Sequence, residues 1–263
     1  MFVIIKGAGD IASGIALRLF HSKIKIIMTD LPKPTSIRRT VCFSQAIIDG
    51  TAVVEDVKAV FAKNTDEALK IMNDGNIPVL TDEKAECIDI LKPDIVIDAI
   101  LAKHNIGTKI TDAPTVIAVG PGFTAGGDCH AVIETQRGHY LGRVLTQGSA
   151  AKNTGIPGNI GGYTTERIIR AVKDGVFMQN AEIGDIVEAN QTVAFVDGEP
   201  VKCSVGGVLR GILPSNTVVF KGMKSGDVDP RAKVEHCFTV SDKALAVGGG
   251  VLEACLRLSD AKI

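Results

Sequence analysis

The stretch VIIKGAGDIASG, residues 3–14, decides the fold class expected for this chain. A short apolar run leads into Gly7 and Gly9, and Ala12 completes the pattern G-x-G-x-x-A. In a dinucleotide-binding turn, the first glycine makes the tight turn, the second admits a pyrophosphate, and the third small residue lets helix and strand pack closely. The pattern therefore predicts a strand, a phosphate-binding turn and a helix whose N-terminus faces an anion.

Charged residues around this turn extend the candidate site. Asp30 ends the second predicted strand about twenty residues further on, where a carboxylate would accept hydrogen bonds from ribose hydroxyls. Asp10 would repel a phosphate unless Lys6 or a metal compensates its charge. The alternative is that the glycines, Gly14 included, serve only tight packing and that Asp30 is a turn residue.

A second glycine-rich segment, AVGPGFTAGGDCH at residues 118–130, follows another predicted strand. Loops at the carboxyl edge of a parallel sheet are where ligands bind, and the backbone N–H groups of such a loop can surround an anion. Gly120, Gly122 and Thr124 are the candidate ligand contacts here, and a simple glycine-rich crossing is the alternative.

Arg38 and Arg39 form the next candidate, because guanidinium groups bind phosphates or carboxylates through two hydrogen bonds. Neighbouring side chains of a strand point to opposite faces, so we expect at most one of the two to reach a ligand.

Cys237 and His236 are the catalytic candidates. HCFTVSDK is expected to open the terminal helix, and a helix N-terminus lowers the pKa of a thiol. A buried, unreactive cysteine is the more common outcome, and adjacency in sequence does not place a thiol and an imidazole within hydrogen-bond distance.

From Phe2 to about Leu145, short β-branched runs alternate with helical segments, which is typical of a mostly parallel sheet. The predicted strands are Phe2–Ile5, Lys25–Thr29, Val79–Leu80, Ile95–Ala99 and Val116–Val119, and the predicted helices are Ile11–Phe20 and one from a capping Thr65 to Asn73. We therefore expect an α/β fold with a Rossmann-like, nucleotide-binding domain over residues 1–160.

A different domain is expected over residues 166–232, where a pattern of short strands with turn glycines occurs twice. The two halves resemble a biotinyl/lipoyl-type barrel-sandwich hybrid. The hairpin FVDGEP has no lysine at its turn, and Lys202 already lies in the following strand, so neither biotin nor lipoyl attachment is expected. We predict that this domain is inserted into the first.

Residues 237–263 are expected to form a helix that returns to the first domain. Ser241 is its predicted N-cap, and Leu245, Leu252 and Leu256 are its predicted buried face. The glycines at 248–250 indicate an approach too close for a Cβ.

Composition excludes several functions. Twenty-nine basic against thirty acidic side chains and 4% aromatic residues argue against nucleic acid as a partner. No apolar run is long enough for a membrane span, and no signal peptide is evident, so we expect a cytoplasmic protein. The six cysteines contain no C-x-x-C pair, and we expect neither disulfides nor a metal site.

Five ordered blocks carry a family resemblance: VIIKGAGDIASG, MTDLPKPTSIRRTV, GPGFTAG, ETQRGHYLGRVLTQGSAAKNTGIPG and HCFTVSDKALAVGGGVLEA. Together they resemble the YqeB-like selenium-dependent molybdenum hydroxylase system proteins. The resemblance implies an accessory role in maturation of these hydroxylases, similar to that of XdhC-type chaperones, with the hydroxylase or its cofactor-assembly proteins as partners. It implies no catalytic residue.

The first hypothesis is an accessory protein that binds NAD(P) or a molybdopterin dinucleotide and assists cofactor loading or modification with selenium or sulfur. The alternatives are an NAD(P)-dependent oxidoreductase acting on a small molecule and a non-catalytic docking protein. The sequence leaves open whether the chain is an enzyme and whether it forms a homo-oligomer.

Overall fold

The computed structural model describes residues 1–260, which divide into two compact units. The first, which we call the α/β unit, comprises residues 1–34, 42–154 and the described residues from 240 on. The second, the β unit, comprises residues 35–41 and 155–239. Across the described part of the chain, every helix is too short or too polar to cross a membrane.

The α/β unit alternates strands and helices along most of its length. Its strands are β1 (Phe2–Lys6), β2 (Lys25–Asp30), β3 (Thr51–Val54), β4 (Val57–Ala62), β5 (Ile77–Thr81), β6 (Ile95–Asp98), β7 (Thr115–Val119), β8 (Ala131–Ile133) and β9 (Val144–Leu145). Its helices are α1 (Asp10–His21), α2 (Gln45–Asp49), α3 (Thr65–Asn73), α4 (Cys87–Leu91) and α5 (Asp242–Leu258). The strands and helices predicted before residue 120 are confirmed within one or two residues, although Asn64, not Thr65, caps α3. The helix expected over residues 237–263 begins only at Asp242 and ends at Leu258, and residues 261–263 lie outside the described residues.

The nine strands form one mixed sheet in the order β3-β4-β5-β2-β1-β6-β7-β8-β9. The central pairings are parallel, whereas the edge pairs β3–β4 and β8–β9 are antiparallel. The Rossmann-like fold class expected from the sequence is therefore wrong. Strand β3 alternates exposed and buried residues, a pattern unlike the continuous apolar runs on which the expectation rested.

The sheet is buried through its centre. On one face, Ile4, Ile27 and Val96 pack together with Ala68 of α3 and Ile88 of α4. Helices α1 and α5 pack on each other, and α5 also contacts β7 and β8. The carboxyl ends of the central strands emerge between these helical layers, and the loops there form the candidate site.

Small residues set the distance between α1 and α5. A Cβ built at Gly14 would lie 2.6 Å from the Cβ of Ala244, and one at Gly248 would lie 2.8 Å from the carbonyl oxygen of Gly14. Ser241 caps α5 as predicted, through a hydrogen bond from the backbone N–H of Ala244. The prediction that Leu245, Leu252 and Leu256 form the buried face of α5 is wrong. The two helices approach so closely that alanine, glycine and valine side chains form the contact instead.

The valines of α5, not its leucines, are the large apolar side chains that the helix buries. Val247 and Val251 are buried, whereas Leu245 and Leu252 are only partly buried and Leu256 is 50% exposed. The helix therefore buries its short side chains and leaves its longest apolar ones at the edge of the contact.

The β unit consists of antiparallel strands and two short 3-10 helices. The strands are β10 (Ile168–Arg170), β11 (Gly175–Gln179), β12 (Ile186–Val187), β13 (Thr192–Val196), β14 (Glu199–Lys202), β15 (Gly207–Ile212), β16 (Thr217–Val219) and β17 (Lys224–Asp229), and the 3-10 helices are Arg39–Val41 and Val234–Cys237. They form two four-stranded sheets, in the orders β10-β17-β15-β12 and β14-β13-β11-β16.

The expected barrel-sandwich hybrid is therefore wrong. The sequence repeat covers β11 and β15 but not β10 or β14, which pair with β17 and β13 and complete two separate sheets. The FVDGEP hairpin joins β13 to β14 through Asp197 and Gly198, both with positive φ. Lys202 lies at the end of β14 and is exposed.

Candidate functional site

The β1–α1 turn lies at the point where the strand order of the sheet reverses. Strand β1 leads through α1 to β2 on one side, whereas β6, its other neighbour, leads to β7 on the opposite side. In open α/β sheets, ligands bind at the carboxyl ends of strands at such a point. The candidate site is therefore the loops that follow β1, β2, β6 and β7.

Two glycines shape this turn. Gly7 has φ +97°, and a Cβ there would lie 2.9 Å from the carbonyl oxygen of Ala99, which follows β6. Gly9 is the N-cap of α1 with φ −76°, and no side-chain cap hydrogen bond is present. The first N–H groups of a helix have no intrahelical partner, so the start of α1 is suited to an anion.

Asp30 orders the turn from the end of β2. Its Oδ2 accepts a hydrogen bond from the backbone N–H of Ala8 at 2.8 Å, and its Oδ1 accepts one from Leu31 at 2.7 Å. Burial raises the pKa of this carboxyl, although both backbone hydrogen bonds oppose the rise. The carboxylate thus fixes the glycine turn, a role that the expected contact with ribose hydroxyls did not include.

Lys6 contacts Thr108 and Asp98, two residues that the sequence analysis did not single out. Its Nζ donates to Thr108 Oγ1 at 2.5 Å and lies 3.7 Å from Asp98 Oδ2. Thr108 Oγ1 in turn donates to Asp98 Oδ2 at 2.6 Å. The signal that could have shown this is the pair of charged residues, Lys6 and Asp98, at the ends of two strands predicted to be buried.

The other small residues of the first motif serve packing. Ala12 is buried within α1, and Gly14 admits Ala244 of α5. Asp10 lies in the first turn of α1. The structure therefore removes Gly14 from the candidate ligand contacts, since the space that its missing Cβ would need belongs to another helix.

The loop after β7 is built on close backbone approaches. Gly120 has φ +83°, and a Cβ there would lie 2.9 Å from Thr135 Oγ1. Gly122 has φ +109°, and a Cβ there would lie 2.5 Å from the Cα of His104. Thr124 donates its backbone N–H to Asp128 Oδ2 at 2.7 Å. Gly122 thus packs the loop against the segment that joins β6 to β7, Gly120 packs it against Thr135, which follows β8, and Asp128 holds the loop to itself.

Arg38 and Arg39 lie in the β unit and bind protein groups there. Arg38 is buried and donates to the carbonyl oxygens of His236 and Thr239. Arg39 donates to the carbonyl oxygen of Ile212 and to Gln179 Oε1, each at 3.0 Å. The expected alternation across a strand is wrong, because Arg39 begins a 3-10 helix.

Cys237 and His236 also belong to the β unit, at the end of the second 3-10 helix. The thiol is buried, and burial raises its pKa even though Arg210 and Arg38 act in the opposite direction. Helix α5 begins only at Asp242, so the expected lowering of the pKa by a helix N-terminus is wrong. His236 Nδ1 lies 3.8 Å from Asp229 Oδ2.

The six cysteines should resist alkylation in the native chain. All of them are buried, and burial raises the pKa of Cys129 and Cys255 to about 12. Iodoacetamide at pH 8 attacks thiolates, so labelling followed by mass spectrometry should show no adduct until denaturant is added. Rapid modification of Cys237 in the native chain would contradict this expectation and restore that thiol as a candidate nucleophile.

No group of three or more His, Cys, Asp or Glu side chains suited to a metal ion occurs within residues 1–260. An open groove of about 330 Å³ is lined by Phe20, Lys25 and Met72, among others. It lies where β2 and β5 begin, at the opposite edge of the sheet from the β1–α1 turn.

The described residues thus combine a mixed α/β unit, which carries the candidate turn, with an antiparallel β unit. Among curated proteins, the chain is similar to "Uncharacterized protein YqeB" of Escherichia coli (strain K12), with 51% identity over 256 residues that make up 97% of this chain. The alignment covers 47% of that protein, so the chain spans about half the length of the curated relative that it matches. The expected similarity to YqeB is confirmed. No model of a protein family matches the chain.

Solved structures give only distant similarities. They include an aspartoacylase family protein from Mesorhizobium loti (10% identity, 86% of this chain and 84% of that chain, TM-score 0.28) and a succinylglutamatedesuccinylase/aspartoacylase from Rhodobacter sphaeroides (10%, 86% and 86%, 0.24). The apo ectoine utilization protein EutE of Ruegeria pomeroyi is similar at 8% identity, 86% and 85% coverage and TM-score 0.25. TM-scores this low carry no argument about fold or function.

Proposed function

We propose that the α/β unit binds a phosphate-bearing ligand of the dinucleotide type at the β1–α1 turn. The observation that carries the proposal is Gly9 as the N-cap of a twelve-residue helix at the carboxyl edge of the sheet, with the turn before it held by Asp30. A helix N-terminus favours negative charge through its N–H groups and its dipole. NAD(P) and a molybdopterin dinucleotide both present phosphates to such a turn.

Substitution of Gly9 tests this proposal. Gly9→Val places a branched side chain where the ligand's phosphate would approach, and we expect its affinity to fall by at least a hundredfold, about 2.7 kcal/mol. Isothermal titration with NAD, NADP, ADP-ribose and molybdopterin dinucleotide measures the effect. The melting temperature should stay within a few degrees, which separates lost binding from lost folding.

Gly249→Val provides the control, because a Cβ at Gly249 meets no atom within 4 Å. It should leave affinity unchanged. The proposal fails if the wild-type chain binds none of the four ligands, or if Gly9→Val binds them as tightly as the wild type does.

For the biological role, we propose that the chain assists maturation of a selenium-dependent molybdenum hydroxylase. The five sequence blocks support this proposal through the family that they resemble, and the similarity to YqeB agrees with the name of that family. A cell that lacks the chain should lose hydroxylase activity while retaining the hydroxylase polypeptide. Wild-type chain should restore that activity and Gly9→Val should not. Full hydroxylase activity in the deleted cell would overturn the role but leave ligand binding unaffected.

A further inference from the structure

A polar layer interrupts the apolar face of the sheet just below the candidate turn. Ile4 pairs in register with Ile27 and Val96, and all three are buried. Two residues further along the same face, Lys6 pairs in register with Thr29 and Asp98. The side chains of Lys6 and Asp98 are only 8% and 2% exposed. A lysine and an aspartate thus occupy positions where the rest of the face has aliphatic residues.

Packing does not account for this layer. Burying an ion pair costs desolvation free energy, and apolar residues of similar volume often serve stability as well or better. The Lys6 ammonium has three N–H donors, and its one hydrogen bond among the described residues goes to Thr108. Two donors of a buried ammonium therefore remain for an acceptor other than Thr108. A ligand acceptor that reaches this layer would therefore find N–H donors available on Lys6.

Thr108 indicates which chemical group the pair recognises. Its hydroxyl accepts a hydrogen bond from Lys6 and donates one to Asp98, so it bridges a donor and an acceptor that lie 3.7 Å apart. A ligand group that takes its place must likewise both accept and donate. The charges of Lys6 and Asp98 cancel, so an uncharged group is favoured over a second anion. A primary amide meets both conditions, with its oxygen toward Lys6 and its nitrogen toward Asp98.

We propose that Lys6 and Asp98 form a subsite for an uncharged primary amide, and that this amide replaces the hydroxyl of Thr108 when the ligand binds. The proposal rests on the proposed function, because Lys6 directly precedes the turn at Gly7 that would hold the phosphates. It narrows the ligand to a dinucleotide with an amide head group, of the nicotinamide type.

The segment that carries Thr108 is suited to such an exchange. Residues 99–114 join β6 to β7 without a helix or strand, and Leu101 and Lys103 adopt positive φ. Asn105 Oδ1 accepts hydrogen bonds from the backbone N–H groups of Gly107 and Thr108, so the tip of the loop is held together locally. Long irregular loops at a sheet edge are typical of segments that move when ligands bind.

Two substitutions with opposite expected effects test the subsite. Lys6→Met removes the donor and should weaken NAD about tenfold or more, while ADP-ribose, which lacks the amide, changes less than twofold. Thr108→Val removes the group that competes with the amide and should tighten NAD about fivefold to tenfold, again with little change for ADP-ribose. Isothermal titration of the full chain measures all four affinities.

Charge provides a second test. Wild-type chain should bind NAD more tightly than nicotinic acid adenine dinucleotide, whose carboxylate faces Asp98, and Asp98→Asn should reverse that order. Lys25→Met, at the exposed start of β2, is the matched control and should change nothing. If Lys6→Met does not fold, the double variant Lys6→Met with Asp98→Asn removes both buried charges and should show the same selective loss of NAD affinity.

The possible outcomes separate the two proposals. An NAD to ADP-ribose affinity ratio that no variant changes overturns the amide subsite but leaves the phosphate turn intact. Thr108→Val that weakens both ligands equally also overturns the subsite, since it assigns Thr108 a structural role alone. If the wild-type chain binds neither NAD nor ADP-ribose, the subsite is overturned as well. If it also binds neither NADP nor molybdopterin dinucleotide, the proposed phosphate-binding turn is overturned too.

Discussion

Gly248→Ala will destabilise the chain, whereas Gly249→Ala, one residue further along the same helix, will stabilise it. A Cβ at Gly248 would lie 2.8 Å from the backbone oxygen of Gly14 and 3.2 Å from the Cα of Ile15, atoms that cannot move without shifting α1. Overpacking of this kind costs about 1–3 kcal/mol. A Cβ at Gly249 meets nothing, so the higher helix propensity of alanine contributes about 0.5–1 kcal/mol.

Urea unfolding of both variants under the same conditions measures the difference, with the slope of the transition as a check on two-state behaviour. Because both variants add one methyl group to the same helix, composition and propensity cancel in the comparison. Equal free energies of unfolding for the two would show that the α1–α5 contact is not as close as described.

Replacement of Asp229 should lower the free energy of unfolding more than Gly248→Ala does. This carboxylate is fully buried, with Arg231 Nη2 at 2.6 Å and Arg210 Nη1 at 3.6 Å. Asp229→Ala leaves the buried Arg210 without this counter-charge, and breaking such a buried pair costs about 3–5 kcal/mol. The exposed Asp89, which pairs with Lys92 on the surface, is the control, and Asp89→Ala should change stability little. A small effect at Asp229 would mean that solvent or a rearranged arginine replaces the pair.

The same residue predicts a dependence on pH. Burial by itself raises the pKa of Asp229, but the hydrogen bonds and charge of Arg231, with the charge of Arg210, outweigh it and lower the pKa to about 2. An aspartate in the unfolded chain titrates near 3.9. The stabilisation by Asp229 is therefore complete above about pH 5 and is lost as the pH falls toward 2. The difference in stability between wild type and Asp229→Asn should shrink over that range and stay constant from pH 5 to 7.

Local pattern predicted the centre of the α/β unit but not its edges. Strands β1 and β2 and helix α1 follow from apolar runs and glycines that are adjacent in sequence. Strands β3 and β4 were missed because each has residues that face solvent, so their burial alternates along part of the strand and the apolar run in β3 is only three residues long. The face of α5 was assigned from its leucines, although the distance to α1 selects small residues there.

The candidate site was predictable in the same uneven way. Gly7 and Gly9 belong to one sequence motif, and Asp30 is the carboxylate expected to accompany that motif. The structure brings the three residues together. Thr108 belongs to an irregular loop, and its contact to Lys6 spans 102 residues of sequence, which no local pattern reports. Arg38 and His236 were chosen for their chemistry alone, and the structure uses both within the β unit.

The contact between α1 and α5 also sets the order in which the molecule can mature during synthesis. Helix α1 is made before the β unit, but its partner α5 is complete only at Leu258, after the entire β unit has been made. Pairings that close such a long loop form late and slowly. Until then, the glycine-lined side of α1 and the adjoining strands remain open to solvent, to chaperones and to aggregation. The candidate turn is thus synthesised well before the helix that completes the α1–α5 layer.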